Sequence, residues 1–223
     1  MSITIYQFEH SPFCIPITAI FRSLTIPVIA ENVSNGNRAT IIELTGGAYY
    51  QVPVLQDEGT LVFESTPESQ DIARYIDTHY AEGRLFPAPL EGIQRVLIPN
   101  LEDEVEGVTF KLVDPLYLDA ITDPVERMMI VRHKERKFGR GCIDQWKADR
   151  AKLTAQAESV LMPYELMLRN HAFLLGNSPV YSDFLLYGIL GNLTYRGYNE
   201  IPASLKAIQA WMPRMKDFIF SGF

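Results

Sequence analysis

Apolar and polar positions alternate along Ile3–Gln7, the period of a short strand. The period then lengthens: Ile17, Ile20, Phe21 and Leu24 stand at helical spacing within residues 13–24. A second strand is expected over Ile26–Val33, with Pro27 near its start. A short helix over Arg38–Leu44 is closed by the pair Gly46-Gly47. Val54-Leu55 and Thr60–Phe63 flank Gln56-Asp57-Glu58-Gly59, a hairpin loop with glycine at its end. A helix over Thr66–Tyr80 follows, carrying Ile72, Ala73, Tyr75 and Ile76 as its apolar positions.

Residues 81–92 hold Gly83, Pro87, Pro89 and Gly92 among polar neighbours, which reads as a linker. Beyond it the periodicity is helical. Trp146, Leu153, Val160 and Met167 recur every seven residues over Asp144–Asn170, and Ala157 and Tyr164 fill alternate positions, which makes one long amphipathic helix. Pro163 falls inside it and is expected to kink or split it. A last helix near Ala203–Phe220 carries Leu205, Ile208, Met212, Met215 and Ile219. The expected organisation is a small α/β domain over residues 1–80, the linker, and an all-α domain over residues 93–223.

A hydrophobic fraction of 47% with 21% charged residues is that of a folded chain with a substantial core. The formal charge of −7 argues against nucleic acid or an anionic membrane as partner. No apolar run reaches the roughly 18 residues of a membrane span, and Met-Ser-Ile-Thr-Ile-Tyr has neither basic n-region nor apolar h-region, so a cytoplasmic protein is expected. Cys14 and Cys142 lie far apart and offer no metal-ligand spacing, and the four histidines are scattered. No metal is expected.

Two stretches carry chemistry. In Gln51-Val52-Pro53-Val54-Leu55 the proline cannot donate to a ladder, so the run reads as the entry to an edge-like strand. A cis bond at Val52-Pro53 would turn the Val52 amide and carbonyl outward, free to pair with an extended peptide. In Glu64-Ser65-Thr66-Pro67-Glu68, Ser65 is a candidate N-cap and Glu68 completes a capping box. Free N–H groups at a helix start favour a carboxylate. A peptide clamp beside a carboxylate pocket suggests a small acidic thiol peptide.

With Ser11-Pro12-Phe13-Cys14 after the first strand, Gln51-Val52-Pro53, Glu64-Ser65 and the capping segment Ser178–Phe184 in this order, the chain resembles the cytosolic glutathione transferase superfamily over nearly its whole length. The resemblance implies a thioredoxin-like N-terminal domain and an all-α C-terminal domain, glutathione as co-substrate, and a homodimer. One departure is Val180, where the family's capping segment usually has Ser or Thr three residues before Asp183.

The resemblance implies that Ser11 aligns with the family's catalytic Ser or Cys. Its hydroxyl would stabilise the glutathione thiolate, the attacking species; otherwise it only caps the helix. Cys14 is the rival, capable of a mixed disulfide if the helix start lowers its pKa, or else a buried, inert thiol. Tyr6 ranks third as a donor. Phe13, Gln51, Val52 and Pro53 would line the glutathione site, Glu64 and Ser65 would hold the γ-glutamyl end, and Arg38 would pair with the glycyl carboxylate. Phe110, Tyr117 and Met128 would form the pocket for a hydrophobic electrophile. The basic run Arg132–Lys137, with Arg140 behind it, is either a solvated helix face or an attractor of an anionic co-substrate or second glutathione moiety. The expected activity is glutathione transfer in detoxification. A thiol oxidoreductase running through Cys14, an ether- or peroxide-cleaving enzyme, and a silent scaffold are its rivals.

Overall fold

The computed structural model describes residues 2–66 and 70–221. Its sheet follows the alternation: β1 (Ile3–Gln7) buries Ile3, Ile5 and Gln7, leaving Thr4 and Tyr6 half-exposed on the other face. Helix α1 (Cys14–Ser23) follows, then β2 (Ile29–Asn32), α2 (Ala39–Leu44), β3 (Val54–Asp57) and β4 (Thr60–Phe63). The strand order is β2-β1-β3-β4. β1 pairs parallel to β2 and antiparallel to β3, with Ile5 opposite Leu55, and Leu55 lies opposite Val62 of β4. This is a thioredoxin-like sheet. The second strand is shorter than expected because Pro27 has no N–H to give the ladder, and all four of its residues are exposed at the sheet edge. The hairpin loop tightens to Glu58-Gly59, both at positive φ, the two-residue turn whose twist suits antiparallel strands. Gly46 and Gly47, also at positive φ, close α2 as expected.

Helix α3 (Asp71–Ile76) begins later than Thr66, and a π-helical turn over Asp77–Ala81 continues it. Ser65 is therefore not its N-cap; Gln70 precedes the first helical residue. Pro67 and Glu68, the other members of the expected capping box, lie outside the described residues.

The remainder is helical. A π-helical stretch (Leu101–Glu106) joins α4 (Ala88–Asn100) to α5 (Gly107–Ala120), and α6 (Pro124–Phe138) follows. The long helix expected over 144–170 is broken at Asp149 into α7 (Cys142–Ala148) and α8 (Arg150–Asn170), while Pro163 sits inside an unbroken α8. Pro163 is on the exposed side of α8, where water can satisfy the carbonyl its ring frees. Trp146, now on α7, packs edge-on against Phe110 at 5.3 Å. Helices α9 (Tyr181–Leu193) and α10 (Lys206–Asp217) complete the chain.

Buried α9 carries the sheet half on its flank. Gly188 lies where an added Cβ would meet the Pro12 carbonyl oxygen at 2.4 Å, so α1 and its leading loop rest directly on the α9 backbone. Asn192 reinforces the contact, its Nδ2 donating to the His10 carbonyl at 2.6 Å. The start of α9 is capped from inside. Val180 contributes no side-chain bond, and both oxygens of buried Asp183 accept backbone N–H groups, from Leu174 at 2.8 Å and Val180 at 3.1 Å. Asp183 thus substitutes for the missing Ser or Thr by bonding back toward the loop.

Candidate functional site

A cleft of about 470 Å³ opens between the start of α1 and the helical half. Its sheet-side wall includes Ser11, Phe13, Arg38, Gln51 and Val52; its helical wall includes Glu106, Phe110 and Tyr117 from the π-stretch and α5, with Met129, His133 and Arg136 from α6. Residues more than a hundred positions apart thus share one space.

Ser11 is nearly buried at the mouth of α1. Its Oγ accepts the Phe13 N–H at 3.3 Å, and its carbonyl accepts the N–H groups of Cys14 and Ile15, both at 3.1 Å. Accepting that bond leaves the hydroxyl its own proton, for which the neighbouring Cys14 sulfur and a ligand in the cleft would compete. Cys14 faces inward, fully buried, and does not line the cleft. Burial pushes its thiol up to about 11, against the downward pull of the Ser11 hydroxyl and the Phe8 backbone. Such a thiol is a poor nucleophile near neutral pH.

The Val52-Pro53 bond is cis. The ladder begins at Val54, so Val52, at the cleft wall, contributes no ladder bond among the described residues. Arg38 sits with its guanidinium 4.1 Å over the Phe8 ring; Nε and Nη2 donate to Asn35 at 3.1 and 2.8 Å. Its Nη1 is buried and has no hydrogen-bond partner among the described residues. A charged donor in that condition is costly unless an acceptor arrives.

Other expected site residues lie elsewhere. Tyr6 donates to Gln56 at 3.2 Å on the sheet and is not at the cleft. Pro53 is buried behind Val52. Glu64 accepts the Asp71 N–H at 2.7 Å, and burial pushes its carboxyl up to about 7. Asp71 holds the Ser65 N–H at 2.6 Å and its hydroxyl at 3.0 Å. The Ser65 donors would therefore reach a ligand carboxylate only by displacing Asp71. The sequence repeats Glu-Ser at Glu68-Ser69, just before α3 begins, outside the described residues. On the helical side Phe110 and Tyr117 line the cleft. Met128 does not: it is exposed, and its neighbour Met129 takes the place.

Three features have no signal in the sequence periodicity. His10 is stacked on Tyr117 at 4.2 Å, and burial, with Arg196 and Lys134 adding to it, lowers its pKa to about 4, so the ring is neutral. Glu106 is pushed up to about 7 by burial. Lys134 pairs with Asp114 at 2.5 Å. The adjacent Phe8 and the basic run were the available hints.

Residues 5–84 match the family described as glutathione S-transferase, N-terminal domain. Glutaredoxin 2 of Escherichia coli K12 is 29% identical over 140 residues, so the chain spans about 60% of the length of the curated relatives it matches, and the match covers 60% of this chain. Among solved structures, glutaredoxin 2 of Salmonella typhimurium, crystallised with glutathione, has a TM-score of 0.72 at 24% identity, covering 96% of this chain and 94% of that one. A glutathione transferase of Phanerochaete chrysosporium reaches a TM-score of 0.78 at 16% identity, covering 100% and 99%. The architecture is the glutathione transferase fold, and residues 5–84 carry the match to that family's N-terminal domain.

Proposed function

We propose that the chain is a glutathione transferase in which Ser11, rather than Cys14, activates the thiol. The observation that supports it most is the division of labour at α1. Ser11 lines the cleft, while Cys14 is buried with its pKa raised to about 11.

The residues present fit glutathione. Val52 offers an amide and a carbonyl outside the ladder to a peptide backbone. The orphan Nη1 of Arg38 offers a charged donor to a carboxylate. Glutathione would supply the nucleophilic sulfur. Ser11 would donate its O–H to the sulfur anion, favouring thiolate over thiol and so raising the reactive fraction at neutral pH. Phe110, Tyr117 and Met129 would exclude water around the electrophile and hold it opposite Ser11, so that the remaining gain is positional. In this reading Gln51 and Phe13 flank the peptide, and the γ-glutamyl end lies toward the Glu64-Ser65 segment. A cytoplasmic detoxifying homodimer completes the proposal; exposed Ile93 and Val96 on α4 supply apolar surface for a second copy.

The test is an ultraviolet difference titration of glutathione against Cys14→Ala and Cys14→Ala/Ser11→Ala proteins. A thiolate signal below the free-solution titration, present in the first and lost in the second, is expected. No thiolate in either, with glutathione bound, would refute the role of Ser11.

The likeness to glutaredoxin 2 favours a second reading, a thiol oxidoreductase. It requires Cys14 to emerge from the core, and then Cys14→Ala would abolish disulfide reduction.

A further inference from the structure

Helix α6 is an unusual wall. Of its fifteen residues only Ile130 is buried, and its run from 132 to 137 is almost wholly charged. Most of that charge is already matched. Arg132 pairs with Glu135, Lys134 pairs with Asp114, and Lys137 lies 5.2 Å over the Phe138 ring. His133 and Arg136 remain, both lining the cleft, and neither has an acidic partner within ion-pair distance among the described residues. Across the cleft stands Arg38 with its orphan Nη1. Lys134 neutralises Asp114. Glu106, the other carboxyl of the cleft, is raised to about 7 by burial, so near neutral pH only about half of it carries charge. Burial lowers the His133 pKa, and Lys134, Arg136, Arg38 and Lys137 add to it, so the ring stands as a neutral N–H donor among cations. A cationic cleft in a chain of net charge −7 is a local arrangement and does not follow from composition. Between the cations lies an apolar floor of Phe110, Tyr117, Met129 and Ile130.

We propose that the second substrate is an aryl or alkyl compound bearing a carboxylate, its apolar body on that floor and its anionic end received by Arg136 and His133. The inference rests on the glutathione reading above: with the glycyl carboxylate assigned to Arg38, the Arg136 guanidinium and the neutral His133 N–H are left for the co-substrate. An arginine fork suits a carboxylate bidentately, which fixes the substrate's orientation as well as its charge.

Calorimetric titration of the intact protein with S-benzylglutathione and S-(4-carboxybenzyl)glutathione tests it without requiring turnover. The carboxylated conjugate should bind about tenfold tighter, ~1.4 kcal/mol, and Arg136→Gln/His133→Gln should erase the difference between the two ligands. Both side chains are solvent-exposed, so the variant should fold, which circular dichroism checks. Equal affinities in the wild type, or a preference that survives the substitutions, would overturn the proposal. Glutathione alone separates the two claims. If it binds while the carboxylate earns nothing, the inference falls and the glutathione site stands. If neither it nor either conjugate binds, both fall. Glutathione disulfide distinguishes the sources of the carboxylate. Weaker binding of the disulfide in the variant assigns α6 to a second glutathione half, and a loss confined to the carboxybenzyl ligand assigns it to a small acid; either supports the anionic docking face.

Discussion

Replacing Gly188 by alanine tests whether the packing of α9 is what holds Ser11 in place. A Cβ there would lie 2.4 Å from the Pro12 carbonyl oxygen and 2.5 Å from two Pro16 ring atoms, where ordinary contacts begin near 3.4 Å. About 1 Å of separation must therefore be found between α9 and the loop that carries Ser11. The neighbours are a backbone carbonyl and a proline ring, neither able to swing away. Overpacking of this kind costs about 1–3 kcal/mol, offset by ~1 kcal/mol from the better helix propensity of alanine. The net expectation is about 1–2 kcal/mol of lost stability in urea unfolding. Displacing a positioning group by about 1 Å can cost on the order of 10²-fold in rate, so the glutathione thiolate signal and turnover should fall more than stability does. Gly191→Ala is the control, one turn further along α9. Its nearest neighbour is the Ile15 Cδ1 at 3.2 Å, the free end of a flexible side chain. It should retain the thiolate signal and lie within about 1 kcal/mol of the wild type. If Gly188→Ala is as stable as the wild type and titrates glutathione alike, α9 does not set the position of Ser11.

Asp183→Ala leaves the buried N–H groups of Leu174 and Val180 without acceptors; at about 1–3 kcal/mol each, urea unfolding should show a loss of about 2–6 kcal/mol, with Asp183→Asn recovering part of it. Cys14, at about 11, should react with iodoacetamide at pH 8 far more slowly than a free cysteine, and labelling in urea should restore the ordinary rate. His10 has a folded pKa of about 4, so the unfolded chain binds its proton first as pH falls. Its stabilising contribution is full above about 6.5 and is lost toward pH 4, which predicts that going from pH 7.5 to 5 costs the wild type ~2 kcal/mol more than His10→Phe. A pH series of urea midpoints with no such difference would show that the ring is not held neutral.

The order of elements as far as α3, the ends of β1, the glycine closure of α2 and the place of the hairpin were legible in the sequence because each is a local choice. A period of two or 3.6, a residue without an N–H, or a glycine free to take positive φ decides it within a few positions. The resemblance to glutathione transferases rested on equally local runs around Ser11, Val52 and Glu64. The tertiary structure decided the rest. It broke the helix at Asp149 instead of Pro163, since a proline on a solvated face costs one bond that water replaces, while α7 must turn to lay Trp146 against Phe110. It assigned Ser65 to Asp71 and sent Cys14 into the core, because burial is set by what packs above a residue. Neighbours along the chain do not determine it. The cleft itself was beyond reach of the sequence: periodicity gives the face a side chain occupies on its own helix, but not which distant face it will meet. Only the seating of α1 on α9, and of α6 across from Arg38, brought Ser11 and Arg136 to opposite walls of one cavity.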